Sequence, residues 1–266
     1  MPPRTLLTSG LLASTGKLDM ADLKGKRIIV TGAATGIGRA TAMRVSAYGA
    51  RVAAFDVNDP EGINTVNDIN EAGGDARYWH VDVMDDAQVS GGVSAAAQWL
   101  GGVDVLLHFA GILQGANIEL DEFPEDVWDR VLGVNLTGSF LAVKHVAGVM
   151  KRQHSGVIIL TASGAGVTGG SSSYAYGSSK GGVHGLALVM QGYLGKYGVR
   201  VNDVAPGSVD TPLKVGQLKH TYALTGDKAA FDQQMASLVS PDGVAKVYAW
   251  LASDEADYVR GTVFTR

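Results

Sequence analysis

The chain has 266 residues, 46% of them hydrophobic and 18% charged, with a net charge of −4. That length suits one large domain with a substantial core, and the diffuse acidity offers no basic face for nucleic acid or an anionic membrane. Without cysteine there is no disulfide, thiolate metal site or cysteine nucleophile, and no apolar run reaches the roughly 18–20 residues of a membrane span.

Met1 to Met20 carries Arg4, Lys17, several Ser and Thr, and no acid before Asp19. This composition is similar to a transit peptide. The apolar pieces Leu6-Leu7 and Leu11-Leu12-Ala13 are too broken for a secretory signal, so residues 1–22 read as a flexible extension and the cytoplasm as the default location. Strands are predicted at Arg27–Thr31, Arg51–Asp56, Arg77–Val81, Val103–Leu107, Gly156–Leu160 and Val199–Val204. Helices are predicted between them at Ile37–Tyr48, Glu61–Ala72, Asp86–Leu100, Asp126–Arg152 and Tyr174–Tyr197. Short apolar strands separated by helices imply a parallel sheet covered on both faces. That is a doubly wound α/β fold, whose ligands bind at the carboxyl ends of the strands. The 36 glycines and 7 prolines mark no linker that would divide the chain.

Three glycines straddle the first strand-to-helix turn, in Thr31-Gly32-Ala33-Ala34-Thr35-Gly36-Ile37-Gly38. A tight turn, approach to a pyrophosphate and close helix–strand packing each ask for a missing Cβ. The helix start adds free N–H groups and a partial positive charge. Gly32, Thr35, Gly36, Ile37 and Gly38 are therefore candidate cofactor residues, although the spacing alone also suits a turn with no ligand. Asp56 ends the second strand, where an acid accepts from adenosine ribose hydroxyls. It would repel a 2′-phosphate and so selects NAD over NADP. Thr35 is uncharged where a phosphate-reading cation would stand, and Arg39 is the nearest cation. Asp82, after the third strand, either accepts from an adenine amino group or caps the next helix.

Tyr176 and Lys180 stand four apart and share a helix face. A neighbouring ammonium stabilises tyrosinate and lowers the phenol from about 10 toward working pH, as a general acid/base requires. Ser163 precedes the tyrosine by thirteen residues, and the Gly/Ser/Thr-rich stretch 164–173 can fold its hydroxyl back beside the phenol. A lone Tyr-x-x-x-Lys is close to chance. Its company behind a cofactor turn is what gives it weight.

In these motifs the chain resembles the short-chain dehydrogenase/reductase family, from about Leu23 to about Gly261. The resemblance rests on Thr31 to Gly38, Asp82-Val83, Asn135 in Val134-Asn135-Leu136-Thr137-Gly138, Ser163, Tyr176-Gly177-Ser178-Ser179-Lys180, and Pro206-Gly207 with Thr211. It implies a Rossmann-type fold with a mostly parallel seven-stranded sheet and helices on both faces. Residues 23–266 would form one NAD-binding catalytic domain, with a substrate flap at about 207–240. Ser163 would hold the substrate oxygen and Tyr176 would exchange a proton with it. Lys180 would bind the nicotinamide ribose and depress the tyrosine pKa. Asn135 would kink its helix and hold a water joining Lys180 to solvent. Ala110 and Gly111 would approach the cofactor closely; Pro206, Gly207, Val209 and Thr211 would line the nicotinamide. No metal is implied, and His80, His145, His154, His184 and His220 show no ligand spacing.

Two departures stand out. The family's Asn-Asn-Ala-Gly reads His108-Phe109-Ala110-Gly111 here, which removes a strand-tying amide. The sequence stops at Phe264-Thr265-Arg266, where the family continues into an Asp-Gly-Gly segment near the cofactor or a partner subunit; that segment is either absent or cut off, which bears on tetramer contacts. The helix Tyr174–Tyr197 holds Gly181, Gly182, Gly185, Gly192 and Gly195, each weakening a helix by up to about 1 kcal/mol. Such a helix packs very closely, on its own sheet or, as the resemblance implies, in a homodimer or homotetramer. Ile112, Leu113, Val167, Tyr222 and Leu224 suggest a largely apolar pocket. The leading reading is an NAD(H)-dependent oxidoreductase of secondary alcohols and ketones. The alternatives are an NADP(H)-linked 3-oxoacyl-carrier reductase, opposed by Asp56, and a non-catalytic NAD-binding sensor, opposed by the intact Ser163, Tyr176, Lys180 and Asn135.

Overall fold

The β-branched runs become strands β1 (Arg27–Thr31), β2 (Arg51–Asp56), β3 (Asp75–His80), β4 (Val105–His108), β5 (Gly156–Thr161), β6 (Val199–Ala205) and β7 (Gly261–Phe264) of a computed structural model. The structure describes residues 21–265. The extension at 1–22 therefore lies outside the described residues except for Asp22 and Ala21, which is buried against the core. Between the strands run α1 (Gly36–Ala47), α2 (Asp59–Glu71), α3 (Asp86–Leu100), α4 (Glu125–Leu132), α5 (Gly138–Gln153), α6 (Gly164–Val167), α7 (Tyr174–Leu194), α8 (Pro212–Thr225), α9 (Lys228–Ala236) and α10 (Pro241–Ala252). Among the described residues, no helix is long and apolar enough to cross a membrane.

All neighbouring strands pair in parallel, in the order β3-β2-β1-β4-β5-β6-β7. Successive residues of a strand point to opposite faces. Ile28 and Val30 thus enter a core formed with α1, α2 and α10, while Ile29 enters one formed with α3, α5 and α7. The chain leaves β1 in one direction toward β3, then returns to β4 on the other side of β1. The carboxyl ends of β1 and β4 therefore flank the crevice where such sheets bind ligands.

Three parts of the sequence reading gain local detail. The helix predicted over Asp126–Arg152 is two helices joined by a π-helical turn, Gly133–Thr137, centred on Asn135. The stretch read as a flap forms α8 and α9, and its base is closed by a Val209–Val239 bridge. Thr211 caps α8 by accepting from the Lys214 N–H at 3.2 Å, with Pro212 at the first helical position, a start signal that suits the missing proline donor. Glycine in α7 also divides. A Cβ on Gly182 would stand 2.8 Å from the Leu136 side chain and one on Gly181 3.0 Å from the Gly166 carbonyl, whereas Gly185 and Gly192, and Gly195 just past the helix end, face open space. Close packing within the fold explains only the first two.

Candidate active site

A cavity of about 1080 Å³ opens along the carboxyl ends of β1, β2, β4, β5 and β6. Gly32, Thr35, Gly36, Ile37, Gly38, Asp56, Asp82, Val83, Ala110, Gly111, Ser163, Tyr176, Lys180, Pro206, Gly207, Val209 and Thr211 all line it. Of the predicted catalytic and cofactor residues, Asn135 alone does not line it and sits fully buried behind it.

The glycine turn meets the demands read from sequence. At Gly32, φ is +67° and a Cβ would come within 2.6 Å of the Ala110 nitrogen; a Cβ on Gly38 would overlap the Gly32 carbonyl oxygen. Thr35 precedes α1 without capping it, so the first-turn N–H groups open into the cavity, as a diphosphate requires. At the end of β2 the Asp56 carboxylate is fixed by three backbone donors: Ala34 at 2.9 Å, Val57 at 2.8 Å and Asn58 at 3.0 Å. Its remaining acceptor capacity suits ribose hydroxyls. Arg39, the nearest cation in sequence, is engaged by Asp68 across α1 and α2. The helix after β3 is capped by Asp85, not Asp82; Asp82 accepts the Met84 N–H at 2.9 Å and stays at the cavity wall. These residues fit the adenosine and diphosphate portions of a dinucleotide.

At the other end, β5 delivers Ser163 and α7 presents Tyr176 and Lys180. Ser163 caps α6 by accepting the Ala165 N–H at 3.2 Å. Gly166 makes this possible, since a Cβ there would overlap the Lys180–Gly181 backbone of α7. The close crossing of α6 on α7 brings the serine hydroxyl to the phenol. Burial pushes the Tyr176 phenol above its ordinary value, and its hydrogen bond with Ser163 pulls it back. Lys180 is not among the groups that lower it: its ammonium donates to the Thr161 carbonyl at 2.7 Å and lies 5.9 Å from the tyrosine ring centre. Burial depresses Lys180 to about 8, which leaves it charged at neutral pH.

Asn135 ties these parts together. Its amide nitrogen donates to the Ile112 carbonyl and to Ser179 Oγ, both at 2.9 Å, and its oxygen accepts the Ile112 N–H at 2.8 Å. The loop after β4 is thus fixed to α7 beneath Tyr176 and Lys180. The Asn135 carbonyl accepts from Ser139 Oγ at 2.6 Å, one turn further on, where the π-turn has displaced the normal helical pairing.

Residues 26–221 match the short chain dehydrogenase family. The chain belongs to that family. It is an oxidoreductase of a group that uses nicotinamide cofactors. Among relatives, this short-chain dehydrogenase is 37% identical to (+)-borneol dehydrogenase 1 of Salvia officinalis, over 90% of this chain and 91% of that one. Among solved structures it is similar to an NAD+-bound xylitol dehydrogenase, with TM-score 0.86 and 30% identity over 91% of this chain and 98% of that one. It is equally similar in sequence to a variant actinorhodin polyketide ketoreductase with NADPH, with TM-score 0.84 and 30% identity over 90% and 95% of the two chains.

The departure at His108-Phe109 is absorbed structurally in this dehydrogenase. The link between β4 and β5 is made by Thr161, whose hydroxyl donates to the His108 carbonyl at 2.7 Å and meets Tyr248 OH at 2.8 Å. Phe109 packs on the Tyr248 ring, 4.5 Å between centres. His108 Nδ1 meets Thr31 Oγ1 at 2.8 Å while its Nε2 has no partner. Burial, with Lys180 adding to it, pushes the imidazole down to about 3, so it is neutral at working pH and cannot act as an acid there.

The pocket beyond Tyr176 is apolar in part, as expected, with Val134 and Leu213 also on its wall, but its residues are not all those expected. Ile112 and Leu113 line it, but Val167, Tyr222 and Leu224 do not. Tyr222 stacks instead on Phe231, 5.1 Å between centres, joining α8 to α9. Lys214, Gln217, Thr221, Gln234 and Asn117 add a polar strip to the wall. The helical spacing of 214, 217 and 221 after a Thr-Pro start was the signal that α8 presents one polar face to the site.

Proposed function

We propose that this chain interconverts a secondary alcohol and a ketone with NAD(H), with Tyr176 exchanging the proton at the substrate oxygen. The observation that carries this reading is the convergence of Ser163, Tyr176 and Lys180 on one wall of the cavity that also holds the glycine turn and Asp56. When bound, the nicotinamide supplies or accepts the hydride. Ser163 donates a hydrogen bond that orients the substrate oxygen. Tyr176 gives that oxygen a proton in reduction and takes one in oxidation. Lys180 stays charged at neutral pH and holds the cofactor's ribose. Asn135 fixes the loop and helix that carry these groups and positions the relay to solvent. The preference for NAD rests on Asp56, on uncharged Thr35 and on the engagement of Arg39 by Asp68. The named dehydrogenase relatives support alcohols as substrates; the solved relatives include one with each cofactor.

A panel of secondary alcohols and ketones with NAD(H) and NADP(H), read by nicotinamide absorbance, tests both claims. Comparable rates with the two cofactors would remove the Asp56 argument. Tyr176→Phe should lower turnover by about 10²–10⁴-fold and leave NADH binding, read by fluorescence, within twofold. Full turnover in that variant defeats the mechanism, and NADH binding without any turnover in the parent enzyme favours a sensor.

A further inference from the structure

Lys214 stands out among the cations of the molecule. It lines the cavity, is half-buried, and takes part in none of the ion pairs among the described residues. Its single bond runs to Gln217 Oε1 at 3.0 Å. Burial alone acts on the ammonium, lowering its pKa, and no neighbouring acid offsets that. Withdrawing an ammonium from water without a counter-charge is unfavourable, and nothing in the packing of α8 requires it. The two carboxylates of the cavity wall, Asp56 and Asp82, belong to the adenosine end.

The surrounding hydrogen bonds show which end of the cavity Lys214 serves. Gln217 Nε2 donates to Thr221 Oγ1 at 2.9 Å, and Asn117 Nδ2 donates to the same oxygen at 2.7 Å. Asn117 holds a left-handed φ of 60°, tolerated best by asparagine among side-chain residues, and its N–H donates to the Ser172 carbonyl at 2.8 Å. The next residue, Ser173, caps α7 by accepting the Tyr176 N–H at 3.2 Å. A bar of polar groups thus runs from Lys214 to the start of α7, while the first residues of α8, Thr211 and Pro212, lie against Gly36 of the glycine turn. Gln217 and Thr221 spend their polar atoms on that bar, which leaves the ammonium its remaining N–H donors.

We propose that Lys214 receives an anionic group, such as a carboxylate, carried by the substrate at a distance from its reacting oxygen. The inference rests on the alcohol/ketone reading of the same site and narrows the substrate class to hydroxy acids and oxo acids or their analogues. An ion pair in a half-buried site also selects against neutral isosteres, since they leave the cation desolvated and unpaired.

Binding tests this without turnover. The full-length protein, with and without NADH, is titrated calorimetrically with benzoate against benzamide and with butyrate against butyramide. The expected result is at least a tenfold preference for the carboxylate of one pair, abolished in Lys214→Met and retained in Lys214→Arg; a charge-assisted hydrogen bond supplies roughly ten- to hundredfold. Absence of the preference in the parent protein, or its survival in Lys214→Met, overturns the proposal. So does a tenfold loss of NADH affinity in Lys214→Met with the carboxylate preference intact, because the cation would then serve the cofactor phosphates. Failure of the redox reading shows separately, as loss of turnover across the alcohol and ketone panel with carboxylate binding unchanged.

Discussion

Burial pushes down two nitrogen bases near the nicotinamide end, and they differ in charge because they start from different ordinary values. Lys180 meets the Thr161 carbonyl and remains charged to about pH 8. His108 has one hydroxyl partner, an unsatisfied Nε2 and a cation nearby, and its pKa falls to about 3 from an ordinary 6.5. Because the folded pKa lies below the unfolded one, the unfolded chain binds more protons between those values. Stability is therefore full above pH 6.5 and is lost as the pH falls toward 3, by up to about 1.4 kcal/mol per pH unit from this residue. His108→Asn should flatten the fall in unfolding free energy between pH 6.5 and pH 4, measured by urea titration at each pH. An unchanged slope means that the imidazole is not held neutral. At the other end, Asp56→Ser removes the charge facing a 2′-phosphate while keeping a small hydrogen-bonding side chain. The NAD/NADP ratio of kcat/KM should fall at least tenfold, since one unfavourable charge contact is worth about 1.4 kcal/mol or more.

At the scale of elements, the crossing of α6 over α7 sets the distance between Ser163 and Tyr176. Gly166 lies where the two backbones touch, and overpacking there moves the short helix and not the longer one. Gly166→Ala should lower kcat at least tenfold, because a displacement near 1 Å at a reacting group costs up to about a hundredfold. NADH affinity should stay within twofold, since the glycine turn and Asp56 stand on other elements. A joint loss of cofactor binding would mean that α6 supports the whole cavity. The π-turn at Gly133–Thr137 plays a comparable part: it aims the Asn135 amide at Ile112 and Ser179, contacts that a regular helix would not align.

At the scale of the whole molecule, α7 has an inner face built into the core and an outer face lacking cover. Leu188, Val189 and Tyr193 are 48%, 64% and 51% exposed, and Phe140 of α5 is 45% exposed. A Cβ on Gly185 or Gly192 of the same helix, or on Gly195 just past its end, would meet no atom of this chain within 4 Å. Contiguous exposed apolar surface marks an interaction site, and glycines there allow a second backbone to come close. This is the surface at which the homo-oligomer that the family resemblance implies would form. Sedimentation should show a dimer or tetramer, and Leu188→Glu with Val189→Glu should shift it toward smaller species. A monomeric parent protein would remove that reading.

Strand periodicity, the three-glycine turn and the Tyr176–Lys180 spacing are local properties of covalent sequence; the first was enough to read the parallel sheet, and the other two, in the company of Ser163 and Asn135, nominated the cofactor end and the candidate catalytic side chains. Backbone geometry at these places follows from the residues themselves: β-branched runs extend, glycine permits the turn, and a four-residue step aligns two side chains. What only the tertiary structure decided involves partners distant in sequence. The replacement of a strand-tying amide by Thr161 and Tyr248, the engagement of Arg39 by Asp68, and the pairing of Asn117 with Thr221 each join segments whose separation the sequence does not encode. The same holds for the substrate end. Tyr222 and Leu224 looked like pocket residues until α8 turned them toward α9 and solvent and set Lys214, Gln217 and Thr221 against the cavity, because a helix commits all its faces at once when one of them packs.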